Sequence, residues 1–410
     1  MSASDMVSAM SAQSRLRWVL FAAVGAMSTG YLAAVTVSTL AARQITGSSL
    51  LAGVPAAVGT ISTAVGTAML GRLVVHAGRR RSLLVGMAIA TAGGVLAFLG
   101  VLSGIFVLLV AGMGVIGFGN AAAHLARYTA AELVEPHRRG SAVSMIVWAS
   151  TIGAVVGPRL LDPGGRVAIE LGAVEYAGGY LATAVFMGIA TVGCLVALRP
   201  DPSTLAIVDE AVVAAIPETR TPFARPGVQM AVAAMVIGHF VMVLIMTATP
   251  IHVENGGFGL GTVGNIISAH TLGMFAFAPL VGRVTDRVGA IPMMWAGAMV
   301  LVAAGVIAAL APHDATILLG WGLFLLGIGW NLGFVAGSTL LTVAVEPELR
   351  PVVQGKVDSM VWGVGAIATI SSGVLLDGPG YASTAWIGIA LVGGLVWVLV
   401  TRRPRVVVPV

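Results

Sequence analysis

The segments VIGHFVMVLIMTATPIHV (Val236–Val253) and VGNIISAHTLGMFAFAPLVG (Val263–Gly282) are two long apolar stretches that follow one another closely in the chain. Each approaches the ~20 residues that an α-helix needs to cross a bilayer. A short polar turn, Glu254–Gly257, lies between them. We therefore predict two antiparallel membrane helices, and the rest of the chain repeats this alternation of apolar stretch and short polar turn.

The composition supports the same reading over all 410 residues, of which 58% are hydrophobic and 10% are charged, with a mean hydropathy of +0.98. A soluble domain carries about 25% charged residues, so the composition indicates an integral membrane protein. The net charge of +5 comes from basic residues at helix ends, which excludes a nucleic-acid-binding surface. Because Cys194 is the one cysteine, an internal disulfide is also excluded.

The apolar stretches predict an all-α protein with twelve transmembrane helices. Their predicted bounds are Trp18–Ala41, Leu50–Leu70, Leu83–Leu102, Ile105–Leu125, Ser141–Leu161, Tyr176–Leu198, Val228–Ile251, Leu260–Gly282, Ile291–Leu310, Ile317–Val343, Val352–Leu376 and Trp386–Val400. The longest connection contains five prolines and predicts a hinge. We expect an N-terminal six-helix bundle over 1–198, a cytoplasmic hinge loop over 199–227, and a C-terminal six-helix bundle over 228–410.

Two dipeptides recur at a fixed distance along the chain. Gly71-Arg72 reappears as Gly282-Arg283, and Glu135-Pro136 reappears as Glu346-Pro347, each 211 positions later. Parallel repeats of this kind are typical of transporters that work by alternating access, so we predict two pseudo-symmetric bundles. If both termini are cytoplasmic, only Arg43, Arg159 and Arg166 of the 22 basic residues face outward, which satisfies the positive-inside rule.

The two opening segments carry soft metal ligands at helical spacing. Met242 and Met246 are four residues apart, as are His270 and Met274, so each pair lies on one face of its helix. Neutral thioether and imidazole groups suit Cu(I). We predict that these four residues hand copper along a ladder, and that His239 extends the stripe as a polar contact.

Several polar groups inside predicted spans are candidates for substrate contact. Trp330 and Asn331 lie in a glycine-rich part of the tenth span, and Asn120 occupies the matching position in the first half. His124 lies four residues after Asn120, where it could contact substrate or bond to that amide. A flat aromatic ring could stack on Trp330.

Charged residues inside or beside the membrane are candidates for gating and coupling. Arg127 and Glu132 close the fourth span, and we predict that they act at a gate. Asp358 begins the eleventh span, where it could couple protons to transport. Its alternative role is an ion pair with Lys356 or Arg350.

The segment GRVTDRVG, Gly282–Gly289, carries the pattern G-x-x-x-D-R-x-G, and with it the chain resembles the major facilitator superfamily over nearly its whole length. The resemblance implies that Asp286 caps a neighbouring helix and locks one conformation, with Arg283 and Arg287 in the same gating loop. The copy in the first half has Val75 where the acidic residue belongs.

The Met-x-x-x-Met and His-x-x-x-Met pairs give a narrower resemblance to the CcoA-like transporters, the CalT family, which includes bacterial copper and riboflavin importers. It implies that Met242, Met246, His270 and Met274 are copper ligands in a bacterial importer. We expect a multi-pass protein of the bacterial cytoplasmic (inner) membrane, with both termini cytoplasmic as the arginine distribution indicates. Riboflavin import is the first alternative. A proton-coupled drug exporter is the second, because Gly153-x-x-x-Gly157-Pro158 partly matches an antiporter motif.

The sequence contains no G-x-x-x-x-G-K-[ST] nucleotide-binding loop, so we predict a transporter driven by gradients rather than an enzyme. We expect no cofactor, with copper as the transported substrate. The expected partners are the lipid bilayer and a small ion or small-molecule substrate, without nucleic acid, and we expect a monomer.

Overall fold

A computed structural model describes residues 3–48, 51–208, 221–258, 260–312 and 314–402, and in these ranges the chain is helical and contains no β-strand. The described residues also include three short 3₁₀ turns, at Pro136–Arg138, Pro202–Leu205 and Pro222–Ala224. The α-helices are α1 Ala3–Thr46, α2 Val54–Leu102, α3 Phe106–Glu132, α4 Arg139–Arg159, α5 Leu161–Glu170, α6 Ala177–Ala197, α7 Pro226–Asn255, α8 Leu260–Phe275, α9 Ala278–Val288, α10 Ala290–Leu310, α11 Thr316–Val343, α12 Arg350–Asp377 and α13 Tyr381–Thr401. The all-α fold class is confirmed.

The chain divides into two compact units. The first is formed by the ranges Met1–Val134, Ala149–Ile207 and Pro351–Trp362, and the second by the ranges Glu135–Trp148, Val208–Arg350 and Gly363–Val410. The first unit therefore contains α1 to α3, α5 and α6, and the second contains α7 to α11 and α13. The predicted bundle limits stay a prediction, and residues 209–220 of the predicted hinge lie outside the described ranges.

Within the described ranges, eleven helical segments are long and apolar enough to cross a membrane. The predicted second and third spans both lie in α2, which is interrupted at Gly78 (φ +81°). The hydroxyl of Ser82 donates to the carbonyl of Leu70 at 2.7 Å, although these residues would be about 18 Å apart in a straight helix. The chain therefore reverses at Gly78. Gly289, 211 positions later, has the same left-handed conformation (φ +89°) between α9 and α10.

The predicted eighth span is not one helix. It divides into α8 and α9 at Ala276 and Phe277, and the helical segment continues to Val288 rather than ending at Gly282. Proline explains the break, because Pro279 has no N–H to donate to the carbonyl of Phe275 four residues earlier.

Small residues and threonine hydroxyls join helices inside the first unit. The hydroxyl of Thr63 on α2 donates to the carbonyl of Gly117 on α3 at 2.9 Å. The hydroxyl of Thr183 on α6 donates to the carbonyl of Gly30 on α1 at 2.7 Å. Such contacts are typical of membrane interiors, where close approach and interhelical hydrogen bonds replace the hydrophobic effect as the cause of association.

An ion pair in the second unit joins the residue before α7 to the loop after α11. The Arg225 guanidinium donates through Nη1 to Glu346 Oε2 at 2.5 Å and through Nη2 to Oε1. These hydrogen bonds lower the pKa of the Glu346 carboxyl below its ordinary value. The pair lies outside the membrane-length helices, whose nearest limits are Pro226 and Val343.

The Arg225–Glu346 pair should make the stability of the second unit depend on pH. Because the folded pKa is lowered, the stabilisation is complete above the unfolded pKa of about 4.3 and is lost as pH falls through the folded value. We expect the melting temperature in detergent to fall more steeply below about pH 4.3 for the wild type than for Glu346→Gln. Parallel curves for the two proteins would contradict this.

Candidate functional site

An aromatic cluster in the second unit surrounds Trp330 of α11. Its indole Nε1–H donates to Nδ1 of His239 on α7 at 3.2 Å, and both side chains are buried. The Trp330 ring stacks on Phe334, with centroids 4.5 Å apart and an interplanar angle of 19°, and Phe275 meets it edge-on at 5.9 Å. Because Nδ1 of His239 accepts this bond, Nε2 is the nitrogen that carries the proton in the neutral ring.

Asn331 follows Trp330 and is fully buried, with 0% of its surface exposed. Within the described part of the chain, neither its amide nitrogen nor its amide oxygen has a hydrogen-bond partner. Native proteins leave few buried polar groups unpaired, so this amide is a strong candidate for contact with something other than protein.

His270 of α8 is also fully buried. Its Nδ1 donates to the carbonyl of Leu323 on α11 at 2.9 Å. This fixes the tautomer and leaves Nε2 as the lone-pair nitrogen, which has no partner among the described residues. An imidazole oriented in this way by a backbone carbonyl is suited to accept a proton or to bind a metal ion.

His239 and His270 bond to different points of α11. They are anchored at Trp330 and Leu323, seven residues or about 10 Å apart along α11. Met242 is buried, whereas Met246 and Met274 are half-buried on α7 and α8. No group of three or more His, Cys, Asp and Glu side chains that could hold a metal ion occurs in the described chain.

A buried ion pair in the first unit joins Arg127 of α3 to Asp358 of α12. The Tyr128 hydroxyl donates to the same carboxylate oxygen, Oδ1, at 3.2 Å, and the guanidinium lies 4.3 Å from the centroid of the Tyr128 ring. Oδ2 of Asp358 has no partner in the part of the chain described. The alternative pairing of Asp358 with Lys356 or Arg350 is not observed. Lys356 is exposed, and Arg350 Nε donates to the Val345 carbonyl.

Asn120 and His124 are brought together by their helical spacing, with Nδ2 of the amide 3.3 Å from Nε2 of the imidazole. The His124 ring also lies against Trp362, with centroids 4.6 Å apart. The sequence did not suggest Trp362, because it belongs to a helix more than two hundred residues away and no local pattern relates the two.

Glu132 is the acceptor in a second buried cluster of the first unit. The Arg79 guanidinium binds its two carboxylate oxygens, with Nε 2.9 Å from Oε2. The same guanidinium donates to Oε1 of Gln354 at 3.0 Å. Arg79 and Gln354 were missed by sequence reasoning, and the run of three arginines from Arg79 to Arg81 was the signal that could have indicated the first of them.

Asp286 of α9 accepts two backbone hydrogen bonds at the start of α4, from Gly140 N–H at 2.7 Å and from Ser141 N–H at 2.9 Å. A carboxylate at a helix N-terminus satisfies free N–H groups and compensates the helix dipole. This is the capping geometry that the sequence motif implies. Arg283 and Arg287 from the same segment are exposed.

Membrane-length helices, buried ion pairs and a loop whose Asp286 caps a neighbouring helix are the features of a helical membrane transport protein. The chain belongs to the Major Facilitator Superfamily, whose sequence profile matches residues 19–264 and 234–409. The members and structural neighbours that the chain matches are transporters, so the expectation that it is not an enzyme is confirmed.

Two curated relatives and one solved structure illustrate the similarity. The uncharacterized MFS-type transporter YdeG of Bacillus subtilis is 34% identical over 92% of this chain and 89% of its own. The riboflavin transporter RfnT of Brucella anthropi is 26% identical over 90% and 92%. The crystal structure of the human organic anion transporter MFSD10 (TETRAN) has a TM-score of 0.77 at 14% identity, covering 94% of this chain and 99% of that one.

Proposed function

We propose that this transporter imports a planar aromatic organic solute, of which riboflavin is the best example, across the bacterial cytoplasmic membrane. The observation that carries the proposal is the buried cluster of Trp330, Phe334, Phe275 and His239. Aromatic rings offer a large apolar surface with preferred stacking geometries, and a flat solute ring would continue the Trp330–Phe334 stack.

The similarity to a riboflavin transporter over 90% of the chain supports the same substrate class. It carries less weight than the aromatic cluster, because at 26% identity substrate specificity can differ between members of one family. We place both termini in the cytoplasm, where the arginine-rich helix ends satisfy the positive-inside rule, and we retain the monomer as the working unit.

We infer that transport is coupled to protons through Asp358, whose buried carboxylate is paired with Arg127. Buried charges in a membrane are costly and are kept where a transport cycle uses them. Glu132 with Arg79 and Asp286 with the start of α4 are the proposed gating contacts. The unpaired Oδ2 of Asp358 is the proposed site of protonation.

Riboflavin uptake by an auxotrophic host expressing the protein tests the proposal. We expect Trp330→Leu to reduce uptake at least tenfold, because it removes both the stacking surface and the bond to His239, while Trp330→Phe retains part of it. The matched control is Trp321→Leu, which alters a tryptophan of the same helix that is 60% exposed and should leave uptake unchanged. The proposal is rejected if the auxotrophic host expressing the wild-type protein fails to grow on limiting riboflavin.

Copper import is the second candidate, favoured by the unpaired Nε2 of the buried His270 and by Met274 one turn further along α8. Uptake of radioactive Cu(I) by the same cells distinguishes copper import from riboflavin import. His270→Ala should abolish copper uptake and leave riboflavin uptake intact if copper is a substrate. Copper uptake equal to that of empty-vector cells would remove this candidate and leave the flavin proposal standing.

A further inference from the structure

Asn331 combines three features that set it apart from the other polar residues of the second unit. It lies within a membrane-length helix, it is fully buried, and both its donor and its acceptor are unpaired among the described residues. The neighbouring Trp330 donor is already bound to His239, so the indole ring contributes stacking while its N–H is occupied. Hydrogen-bond recognition at this point of α11 therefore depends on the amide.

The break between α8 and α9 lies level with Asn331. Nδ1 of His270 bonds to Leu323, and a Cβ at Gly327 would lie 2.7 Å from the nitrogen of Met274. Both contacts pair residues 53 positions apart, so the two helices run side by side in the same direction. Continued beyond Met274, the same offset would bring the break at Ala276 and Phe277 beside Gly329 and Trp330, next to Asn331.

Helix breaks provide polar backbone groups at membrane depth. The Phe275 carbonyl lacks its usual helical partner because Pro279 has no N–H. In transporters, discontinuous helices line substrate sites for this reason. Phe275 also contacts the Trp330 ring, so the carbonyl and the aromatic cluster belong to one neighbourhood.

We propose that Asn331 recognises an adjacent donor and acceptor, the lactam or imide edge of a planar heteroaromatic ring that stacks beside Trp330. A primary amide presents one acceptor and two donors in a plane, and it pairs with such an edge through two parallel hydrogen bonds. This inference rests on the proposed function, in which the ring of the solute stacks beside Trp330. It adds the chemical group that distinguishes the substrate from other aromatic solutes.

Methylation of the imide nitrogen provides the test. We would titrate purified protein with riboflavin and with N3-methylriboflavin, and follow the quenching of flavin fluorescence. Wild-type protein should bind the parent compound at least tenfold more tightly, because the methyl group removes the donor. Asn331→Leu should weaken riboflavin binding and bring the ratio of the two dissociation constants close to one. The matched control is Asn265→Leu, at an exposed asparagine of α8, which should retain the wild-type ratio.

Asn331→Ala covers the case in which the leucine variant does not fold, because it removes the amide without adding a branched side chain. A wild-type ratio in either folded variant would overturn the inference, since the discrimination would then not depend on the amide. If wild-type protein does not bind riboflavin, the proposed function fails. In that case we would measure the ratio of dissociation constants for two other pairs, lumazine with 3-methyllumazine and thymine with 3-methylthymine. The inference is overturned if the protein binds both members of each pair equally.

Discussion

Replacing Arg127 by glutamine should abolish gradient-driven uptake and strongly destabilise the first unit. The substitution leaves Asp358 buried without its cation, and breaking one side of a buried pair costs about 3–5 kcal/mol. The remaining Tyr128 hydroxyl supplies one hydrogen bond and no charge. Thermal unfolding in detergent and proton-driven uptake into proteoliposomes measure the two consequences.

The double variant Arg127→Gln with Asp358→Asn separates stability from transport. It removes both charges, so we expect it to recover most of the melting temperature while uptake stays lost. Arg166→Gln is the matched control, because its pair with Asp162 is 69% and 76% exposed and such pairs contribute about 0–1 kcal/mol. Wild-type uptake in Arg127→Gln would contradict a role for the pair in transport.

Asp358→Asn alone tests the proposed coupling. If Asp358 carries the proton, this variant should exchange substrate across the membrane at equal concentration while losing accumulation driven by a pH gradient. A pH dependence of uptake identical to that of the wild type would remove Asp358 from the coupling mechanism.

Local features of the fold could be predicted from the sequence because they depend on neighbouring residues. The apolar stretches indicated where the membrane helices lie. The motif around Asp286 indicated a helix cap, which the structure contains. The 211-residue repeat also extends to a feature that was not predicted. Gly78 and Gly289 share a left-handed backbone where each half reverses direction.

The partner of Asp358 could not be predicted, because it lies 231 residues away on another helix. Sequence spacing indicated nearby Lys356 and Arg350, which share the end of the same helix. The spacing of four places two side chains on one face of a helix, but it does not determine which helix that face meets. For the same reason, spacing could pair Met242 with Met246 and His270 with Met274. It could not show whether the two pairs form one site.

Gly282→Ala should have the second large effect, through the contact between α9 and α4. A Cβ at this position would lie 2.0 Å from the Ser144 hydroxyl oxygen and 2.5 Å from the Gly140 carbonyl oxygen. The serine side chain can rotate away, but the backbone carbonyl cannot, so the helices must move apart. Overpacking costs about 1–3 kcal/mol, and the loss of the Asp286 cap adds about 0.5–2 kcal/mol.

Uptake into proteoliposomes and the melting temperature of Gly282→Ala measure this effect, and we expect uptake to fall at least tenfold. Gly264→Ala is the matched control, because a Cβ there meets no atom within 4 Å. Asp286→Ala removes the cap without the steric clash, so it should lower stability by the smaller amount. Normal uptake and stability in Gly282→Ala would show that the contact is not required.

We expect the corresponding substitutions in the first half to act differently. That half keeps the close helix contact at its glycine but has no acidic residue to cap a helix. A Cβ at Gly71 would lie 2.6 Å from the Pro351 carbonyl oxygen, whereas Val75 stands where Asp286 stands in the second half. Gly71→Ala should therefore impair packing in the first unit, while Val75→Ala should have little effect, since this side chain is 50% exposed. The charged cap would then act in the second half alone, so that the two halves contribute unequally to the gating that their shared sequence pattern implies.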